Sequence, residues 1–272
     1  RWEAQPDVER RGEDLGLAVD PLRCEFWDRH DRSWTFLAEG GFGKVYRVPL
    51  FPPIEKVGGA LYNRAAIKAA KAHASAELNS EIKGLAELAH DHIVSILGFT
   101  HCSPEPGEPS RWLMLLEYCD SDLEKLLYGD KPDGVMIAVD RGARSPRELM
   151  LKLAHQIALG MEYIHSNDVK HLDLKPENVL LRNTGSEDSP QWQAKICDFG
   201  MDAGDLQADA GPSMAAGSSK EWIGTYEYMP PEATGKRPER FGTVCSASDV
   251  FSFAVMLWEM LFGQRVRLGF PG

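Results

Sequence analysis

The change from strand-length to helix-length hydrophobic patterning near residue 120 constrains the fold of this chain most strongly. Before that point, short apolar or alternating runs predict strands over residues 34–37, 44–50, 64–71, 93–99 and 112–117. Prolines and glycines predict a loop over residues 51–63 and a turn over residues 103–110. One helix is predicted over residues 74–89, with a stripe formed by Leu78, Ile82, Leu85 and Leu88. The first part therefore reads as a mostly antiparallel sheet with one helix.

Helical patterning dominates the second part. Ser145, Pro146 and Glu148 form a helix-start signal, in which serine caps the helix and glutamate closes a capping box. The long helix that follows has an apolar stripe formed by Leu149, Leu153, Ile157, Met161 and Ile164. Two short strands are predicted over residues 179–181 and 194–197, and a central buried helix over residues 248–262. Residues 201–220 have too little apolar area to order themselves. The pattern predicts an α+β fold with a domain boundary near residue 120.

Composition limits the function classes. The 272 residues are 43% hydrophobic and 26% charged, as in ordinary globular proteins, so a sizeable core is expected. A net charge of −11 argues against nucleic acid as the main partner, although a small phosphorylated ligand is not excluded. The apolar run at residues 253–258 is far too short for a membrane span. With Arg1 first and no leader pattern, we expect an excerpt from a longer, soluble protein.

The five cysteines are an odd number, widely spaced, without a C-x-x-C pair. This argues against a disulfide framework or a structural zinc site and favours buried thiols in a reducing compartment. The cysteines are Cys24, Cys102, Cys119, Cys197 and Cys245.

A glycine-rich turn containing Gly40, Gly41 and Gly43 lies between the first two predicted strands. Glycines allow backbone N–H groups to approach phosphate oxygens closely, although a plain hairpin turn is an equally good interpretation. Val45 and Tyr46 enter a strand directly after the turn, whereas a dinucleotide fingerprint opens a helix. A dinucleotide-binding enzyme is therefore disfavoured, and no parallel βαβ unit follows.

Lys68 lies inside an apolar strand, where an ammonium group is costly to bury unless it is paired. Glu81, thirteen residues later on the inward side of the predicted helix, is its natural partner. The alternative is a lysine that reaches solvent and a glutamate on a solvated helix face.

Two further segments supply carboxylate and amide oxygens. Residues 171–178 contain Asp173, Lys175 and Asn178, and Asp198 begins an Asp-Phe-Gly sequence after the second short strand. Hard oxygen ligands of this kind suit Mg²⁺, which prefers a few protein oxygens together with substrate phosphates. Lys175 adds a cation beside a candidate base.

In this order the motifs resemble a eukaryotic protein kinase domain, from about Trp34 to the last residues. Residues 224–232 resemble the close of the family's activation segment, and Asp249 matches the aspartate that braces the catalytic loop. The resemblance implies a two-lobed fold. Residues 34–119 would form a lobe of antiparallel sheet plus one helix, with the hinge at its end. Residues 120–272 would form a mainly helical lobe, incomplete at its C-terminus, and residues 1–33 an extension or linker.

The resemblance also implies a role for each matching residue, with ATP and Mg²⁺ as cofactors. The phosphates would be covered by Ala38, Gly40, Gly41 and Gly43. Lys68, oriented by Glu81, would hold the α- and β-phosphates. The rest of the nucleotide site would comprise Val45, Ala66, the gatekeeper Leu116, and the hinge residues Glu117 and Cys119. Asp173 would accept or orient the substrate hydroxyl, Lys175 would steady the phosphoryl group, and Asn178 and Asp198 would hold Mg²⁺.

Lys175, two residues after Asp173, resembles serine/threonine kinases, and the hinge faintly resembles the tyrosine-kinase-like group. The expected activity is therefore transfer of the ATP γ-phosphate to serine or threonine of a protein substrate, in cytoplasmic signalling. The alternative is a pseudokinase or signalling scaffold that binds nucleotide without turnover.

Three residues depart from the family pattern: Ala38 replaces a glycine, Leu172 an arginine and Pro231 an alanine. The arginine pairs with an activation-loop phosphate in the family, so that switch is not expected here. Ser213, Ser218 and Ser219 are candidate phosphosites or simply solubilising residues, whereas Thr225 resembles the threonine that contacts the catalytic aspartate. Because the chain ends at Gly272, we expect an exposed apolar patch that includes Phe253, Trp258 and Phe262.

Overall fold

The computed structural model describes residues 34–39, 43–55, 61–71, 75–102, 111–129, 143–186, 188–199, 225–233 and 244–266. These residues fall into two compact units. The first contains the described residues up to Ala89 together with Val94–Tyr118, and the second contains His90–Ile93 together with the described residues from Cys119 onward. The predictions for residues 1–33, for Gly40 and Gly41, for residues 201–220 with their three serines, and for Gly224 lie outside the described residues.

The first unit contains a five-stranded antiparallel sheet in the order β1-β2-β3-β5-β4. Its strands are β1 (Thr35–Glu39), β2 (Gly43–Glu55), β3 (Leu61–Ala70), β4 (Ile96–Cys102) and β5 (Arg111–Glu117). Helix α1 (Ser75–Ala86) connects β3 to β4 along the chain and buries Leu78, Ile82 and Leu85. The predicted sheet with one helix is confirmed.

One face of this sheet forms an apolar cluster. Alternate residues of a strand share a face, and the buried members are Val48, Leu50, Ala65, Ile67, Leu97, Leu113 and Leu115. Burial of each large side chain contributes about 1.5–3 kcal/mol. Because this face is apolar, the polar residues of the central strands are directed to the other face.

The predicted loop over residues 51–63 is wrong at both ends, since β2 continues to Glu55 and β3 begins at Leu61. The register between the two strands shifts between Pro49 and Ile54. Proline cannot donate a ladder hydrogen bond, but a bulge leaves residues unpaired, and Pro52 and Pro53 lie in this shifted stretch. The predicted strand over residues 93–99 is also displaced, because β4 begins at Ile96.

The second unit is mainly helical, which completes the predicted α+β class. It contains α2 (Leu123–Tyr128), α3 (Pro146–Ser166) and α4 (Ser246–Phe262), with a small sheet formed by β6 (Ser121–Asp122), β7 (Val179–Asn183) and β8 (Trp192–Ile196). Two 3₁₀ turns, Pro176–Asn178 and Tyr226–Tyr228, interrupt the loops. No helix among the described residues is long and apolar enough to cross a membrane.

Helix α3 begins as the sequence predicts, and all five residues of its predicted stripe are buried. Ser145 Oγ accepts a hydrogen bond from the backbone N–H of Glu148. The second half of the predicted capping box is wrong, because Glu148 Oε2 accepts from the backbone N–H of Arg144 at 2.7 Å. The glutamate therefore bonds one residue further back than a capping box requires.

Helix α4 is not buried all round, contrary to the prediction. Its buried face contains polar side chains, namely Ser248, Asp249, Ser252 and Glu259, beside Met256 and Met260. Large apolar side chains lie on the exposed side instead, as Val250, Trp258, Leu261 and Phe262. The predicted exposed patch is thus present at Trp258 and Phe262, whereas Phe253 is half-buried.

Candidate active site

In the first unit, strand register gathers several predicted nucleotide-site residues on one face of the sheet. Ala38 pairs with Val45, and Val45 pairs with Lys68. In the neighbouring row, Ala66 pairs with Leu116. Directly paired residues share a face, and alternate residues return to it. Ala38, Val45, Ala66, Lys68 and Leu116 therefore lie on the face opposite the apolar cluster.

The ammonium of Lys68 donates a 2.6 Å hydrogen bond to Glu81 Oε2. The two side chains are 13% and 4% exposed, so the alternative of two solvated charges is wrong. Glu81 is directed inward because it shares a helix face with Leu78 and Leu85, which are buried in the same unit. A buried ion pair of this kind fixes the position of the lysine more than it stabilises the fold.

Glu117, a predicted hinge residue, makes two bonds to one neighbour. Its backbone N–H donates to the carbonyl of Ser95 at 2.9 Å, and its Oε1 accepts from the backbone N–H of Ser95 at 2.7 Å. The side chain is 1% exposed. The carboxylate thus fixes the end of β5 against the residue that precedes β4. Cys119, the other predicted hinge residue, is half-buried in the second unit.

Gly43 is required by close packing at the start of β2. A Cβ atom added there would lie 2.3 Å from the carbonyl oxygen of Ala69, a distance that no side chain tolerates. Beside this position, Lys71 and Glu39 form an ion pair at 3.1 Å between the ends of β3 and β1. The described edges of the glycine-rich turn are therefore fixed by sterics and by charge.

In the second unit, Asp173 accepts bonds from four donors. Its Oδ1 accepts from the backbone N–H and the hydroxyl of Thr225, at 2.9 and 3.0 Å. Its Oδ2 lies 2.8 Å from Lys175 Nζ and 3.1 Å from Asn178 Nδ2. Lys175 also donates to Thr225 Oγ1 at 2.7 Å. The predicted contact between Thr225 and the aspartate is present, and Lys175 joins both.

Asn178 and Asp198 are brought to the same end of the β7–β8 pair. Asn178 immediately precedes β7, and its carbonyl accepts from the backbone N–H of Cys197, the residue before Asp198. Asn178 Nδ2 also donates to the Asp173 carbonyl at 2.8 Å, which fixes the amide. Asp198 has φ 67°, a left-handed conformation that is strained for a non-glycine residue and typical of functional sites.

The imidazole ring of His171 contacts both the segment that contains Asp173 and the segment that contains Asp198. Its Nδ1 accepts from the backbone N–H of Asp173, so Nε2 carries the proton and donates to the Cys197 carbonyl at 2.9 Å. Its ring packs against Phe199 with centroids 5.1 Å apart. The ring of His171 thus connects the loop of Asp173 to the loop of Asp198.

Asp249 on α4 also fixes the backbone of the two residues that precede Asp173. Its Oδ2 accepts from the backbone N–H of His171 at 2.9 Å, and its Oδ1 from that of Leu172 at 2.8 Å. Leu172 has φ 63°, and the bond to its N–H stabilises this strained conformation. His165 Nε2 lies 2.8 Å from the same carboxylate. Sequence reasoning missed His165, since only the register of α3 on α4 reveals it.

The donor set suits magnesium. Both hydrogen bonds of the Asn178 amide nitrogen go to Asp173, so the amide oxygen is available as a candidate ligand together with the Asp198 carboxylate. Two hard oxygens from the protein, with phosphates supplying others, are what Mg²⁺ prefers. Among the described residues no group of three or more histidine, cysteine, aspartate or glutamate side chains could hold a metal ion by itself. A metal here would need ligand oxygens as well.

Comparison with known proteins agrees with this geometry. Residues 34–268 match the family described as protein kinase domain. The chain is 31% identical to the serine/threonine-protein kinase mos of Xenopus laevis, over 83% of this chain and 55% of that protein. It is 29% identical to receptor-interacting serine/threonine-protein kinase 3 of Rattus norvegicus, over 86% and 41%. It is 34% identical to the mitogen-activated protein kinase kinase kinase dlk-1 of Caenorhabditis elegans, over 67% and 16%. The chain spans 55% or less of the length of these relatives.

Proposed function

Because this chain belongs to the protein kinase family, we propose that it transfers the γ-phosphate of ATP to serine or threonine hydroxyls of a protein substrate, with Mg²⁺. The observation that carries the proposal is the group around Asp173. Lys175, Asn178 and Thr225 together donate four bonds to this carboxylate, and Lys175 also donates to Thr225. Phosphoryl transfer depends on positioning and charge neutralisation, so a rigid set of few groups is sufficient.

Asp173 is the group that receives the substrate hydroxyl. Four donors occupy the roughly four lone-pair positions of its two oxygens. An incoming hydroxyl therefore replaces one donor, and Lys175 is the donor on the longest flexible stem. When Lys175 turns to the transferred phosphoryl group, Oδ2 is free to accept the hydroxyl proton. Thr225 meanwhile keeps Oδ1 in place through two bonds.

The first unit supplies the nucleotide-holding residues of the proposal. Lys68, held by Glu81, binds the α- and β-phosphates, and the sheet face that carries Val45, Ala66 and Leu116 packs against adenine. The backbone of Glu117 and Cys119 bonds the adenine edge, while Ala38, Gly40, Gly41 and Gly43 cover the phosphates. Asn178 and Asp198 hold Mg²⁺, which neutralises charge on the phosphates when bound.

Serine/threonine specificity is supported by the position of Lys175. This lysine, two residues after Asp173, bonds both the aspartate and Thr225. The two named relatives described as serine/threonine-protein kinases are similar over 83% and 86% of this chain. A cytoplasmic signalling role is part of the proposal, supported by Cys119, Cys197 and Cys245, which are thiols rather than disulfides.

A nucleotide-binding scaffold without turnover is the second candidate. It is favoured by Leu172, since a strained leucine stands where the family has arginine, and by Ala38 in the phosphate-covering strand. Against it, Lys68, Glu81, Asp173, Asn178 and Asp198 are all retained.

The test is phosphate transfer from γ-labelled ATP to a basic protein such as histone, with Mg²⁺. We expect label on serine and threonine, and a loss of about 10²-fold or more in the Asp173→Asn variant. Asp188→Asn is the matched control, because Asp188 is an exposed aspartate on the β7–β8 turn. Label on tyrosine would contradict the specificity, and ATP binding with no transfer above Asp173→Asn would establish the scaffold instead.

A further inference from the structure

The apolar cluster on the sheet of the first unit is buried more completely than a sheet face can bury itself. Its seven members are at most 5% exposed, and all of them except Leu97 are 0–1% exposed. Side chains stand roughly perpendicular to a sheet, and a sheet with an apolar face buries that face by packing it against another element. A second layer of structure therefore covers this cluster.

Helix α1 does not supply this layer. Its Glu81 bonds Lys68, and Lys68 lies on the opposite face of β3 from Ala65 and Ile67, because successive residues of a strand alternate between the two faces. The apolar side chains in the described part of the chain that pack against the cluster are only partly buried. They belong to the sheet or directly precede it, and they are Trp34, Tyr46, Ile54, Tyr62 and Ala69. The described residues of the first unit thus contain no second layer on this face.

The cluster is buried within a single chain, so the cover comes from residues outside the described ranges, and the sequence narrows the choice. Residues 40–42 and 56–60 contain one large apolar side chain each, and residues 72–74 contain none. Residues 103–110 consist of proline, glutamate, glycine and serine. By contrast, residues 15–27 contain six large apolar side chains in thirteen positions. Among the segments that adjoin the sheet, this one has the apolar area that a second layer needs.

The point at which the described chain begins also favours residues 15–27. Trp34 is the first described residue and itself packs against the cluster, so the preceding chain starts at this face. An extended chain of seven residues, the separation of Trp27 from Trp34, reaches about 24 Å. The distance across the sheet from β1 to β3 is two strand spacings, about 10 Å. Residues 15–27 can therefore reach β2 and β3, and they precede the family match, which begins at residue 34.

We propose that residues 15–27 dock on the apolar cluster and form the second layer of the first unit. Leu22, Phe26 and Trp27 are the side chains expected to contact the cluster, because they are nearest to Trp34 along the chain and the two aromatic rings supply a large apolar area. The segment is then a structural part of the first unit rather than a linker. The inference does not depend on the proposed function, and its tests do not use phosphate transfer.

The first test locates the segment in the full chain by photo-crosslinking. The photoreactive residue p-benzoylphenylalanine, which keeps an aromatic side chain, replaces Phe26, and cross-linked peptides are identified by mass spectrometry. We expect adducts within one chain on β2 or β3, at cluster residues or at the neighbouring Tyr46 and Tyr62. The same probe in place of Arg11, outside residues 15–27, should give no adduct on these strands. Equal yields from the two positions, adducts only on other elements or between two chains, or no adduct from position 26 overturns the proposal.

The second test measures whether the segment shields the cluster. Ala65→Cys places a thiol at a position that is 0% exposed in the cluster, in a Cys24→Ser background. Maleimide labelling of residue 65 is followed by mass spectrometry of its peptide and should be slow. In Leu22→Asp/Phe26→Asp/Trp27→Asp the labelling rate should rise about tenfold or more, because burial of even one large apolar side chain is worth at least that factor. Rapid labelling before this replacement, or an unchanged rate after it, overturns the proposal.

Two controls separate docking from charge and from general reactivity. Arg10→Asp/Arg11→Asp changes the charge of the N-terminal residues by a similar amount without removing apolar area, so labelling of residue 65 should stay within about twofold. Asn63→Cys places a thiol at an exposed position of the same strand and should be labelled equally fast in every variant. If the triple aspartate variant does not fold, Phe26→Ala replaces it. The rate at residue 65 must then still rise, and an unchanged rate counts against docking in the same way.

Discussion

The ammonium of Lys68 on β3 and the carboxylate of Glu81 on α1 lie 2.6 Å apart, and both side chains are nearly buried. The pair therefore connects the sheet to the helix through charge as well as packing. Removal of one partner leaves the other charge buried and unpaired, which is the costly case.

Replacement of Glu81 by glutamine should show this cost. We expect the free energy of unfolding to fall by about 2–4 kcal/mol, because the ammonium of Lys68 loses its countercharge. Under the proposed function, kcat/KM for ATP should fall by roughly 10²-fold, because the lysine is no longer held in one position. Urea denaturation and steady-state kinetics measure the two effects. Glu162→Gln, an exposed change on α3, should affect neither.

Replacement of Gly43 by alanine should destabilise the first unit through sterics alone. The new Cβ would lie 2.3 Å from the Ala69 carbonyl oxygen, which is backbone and cannot rotate away. We expect a loss of about 1–3 kcal/mol from this overpacking. Gly263→Ala is the comparison, since its Cβ would meet nothing within 4 Å and only its φ of 64° is unfavourable, at about 1–2 kcal/mol. A denaturation midpoint for Gly43→Ala equal to that of the unchanged chain would contradict the packing described for β2 and β3.

Glu117 and Ser95 offer a pair of matched variants. Glu117→Ala removes the acceptor of the Ser95 backbone N–H and should cost about 1–3 kcal/mol of stability. Ser95→Ala changes a side chain but keeps both backbone groups that Glu117 uses, so it should be close to neutral. If the hinge binds adenine as proposed, Glu117→Ala should also weaken ATP binding, whereas Ser95→Ala should not. Equal effects of the two changes on thermal unfolding would show that the carboxylate does not hold the hinge.

Under the proposed function, activity should not depend on an activation-loop phosphate. Leu172 replaces the arginine that pairs with such a phosphate in the family, and a leucine cannot form that pair. We treat the protein with a phosphatase, remove the phosphatase, and measure kcat/KM again. The value should change by about twofold at most, which is less than the loss of one charge-assisted hydrogen bond would cause. Loss of all activity on treatment would count against this prediction. Leu172→Arg is the informative companion variant, because it restores the cation.

Stability should fall on mild acidification through His92. Burial lowers the pKa of this histidine below its usual 6.5, and its Nδ1 lies 3.1 Å from the Ala194 carbonyl oxygen. The unfolded chain therefore binds the proton more readily than the folded chain. The contribution of His92 to the free energy of unfolding is complete above pH 6.5 and is lost as the pH falls below that value. The free energy of unfolding should drop less between pH 7.5 and 5.5 in His92→Asn than in the unchanged chain. His155→Gln, an exposed change, should keep the original slope.

Much of the fold follows from local patterns that the sequence displays directly. The stripe of α3 and its Ser145 cap are local, so periodicity and capping rules find them. The continuation of β2 past Pro52 does not follow from local sequence, because proline by itself argues against a strand. The strand continues there because its pairing with β3 contains a register shift. Helix α2 was not predicted, since six residues carry too little periodicity and only the Asp122 cap marks its start.

The residues of the candidate site likewise include some that the sequence reveals and some that only the structure reveals. Lys68, Glu81 and Asp173 are recognisable because charged groups stand in or beside apolar runs at a characteristic order. The bonds from Ser95 to Glu117 and from His165 to Asp249 join residues far apart in the chain. Their side chains look ordinary until packing buries them. The order of motifs along the chain thus reveals the chemical groups of the site. The contacts that hold those groups in place are visible only in the three-dimensional structure.

The four residues His90–Ile93 belong to the second unit although the chain on both sides of them belongs to the first. The His92 carbonyl accepts from the backbone N–H of Ile196, and Ile93 pairs with that same residue of β8. A fragment that stopped at Tyr118 would thus contain His90–Ile93 without the β8 strand that these residues contact. A fragment that started at Cys119 would contain β8 without that partner segment. The molecule is therefore poorly suited to being split and reassembled from two separately expressed pieces, and a protein-complementation design should cut it elsewhere.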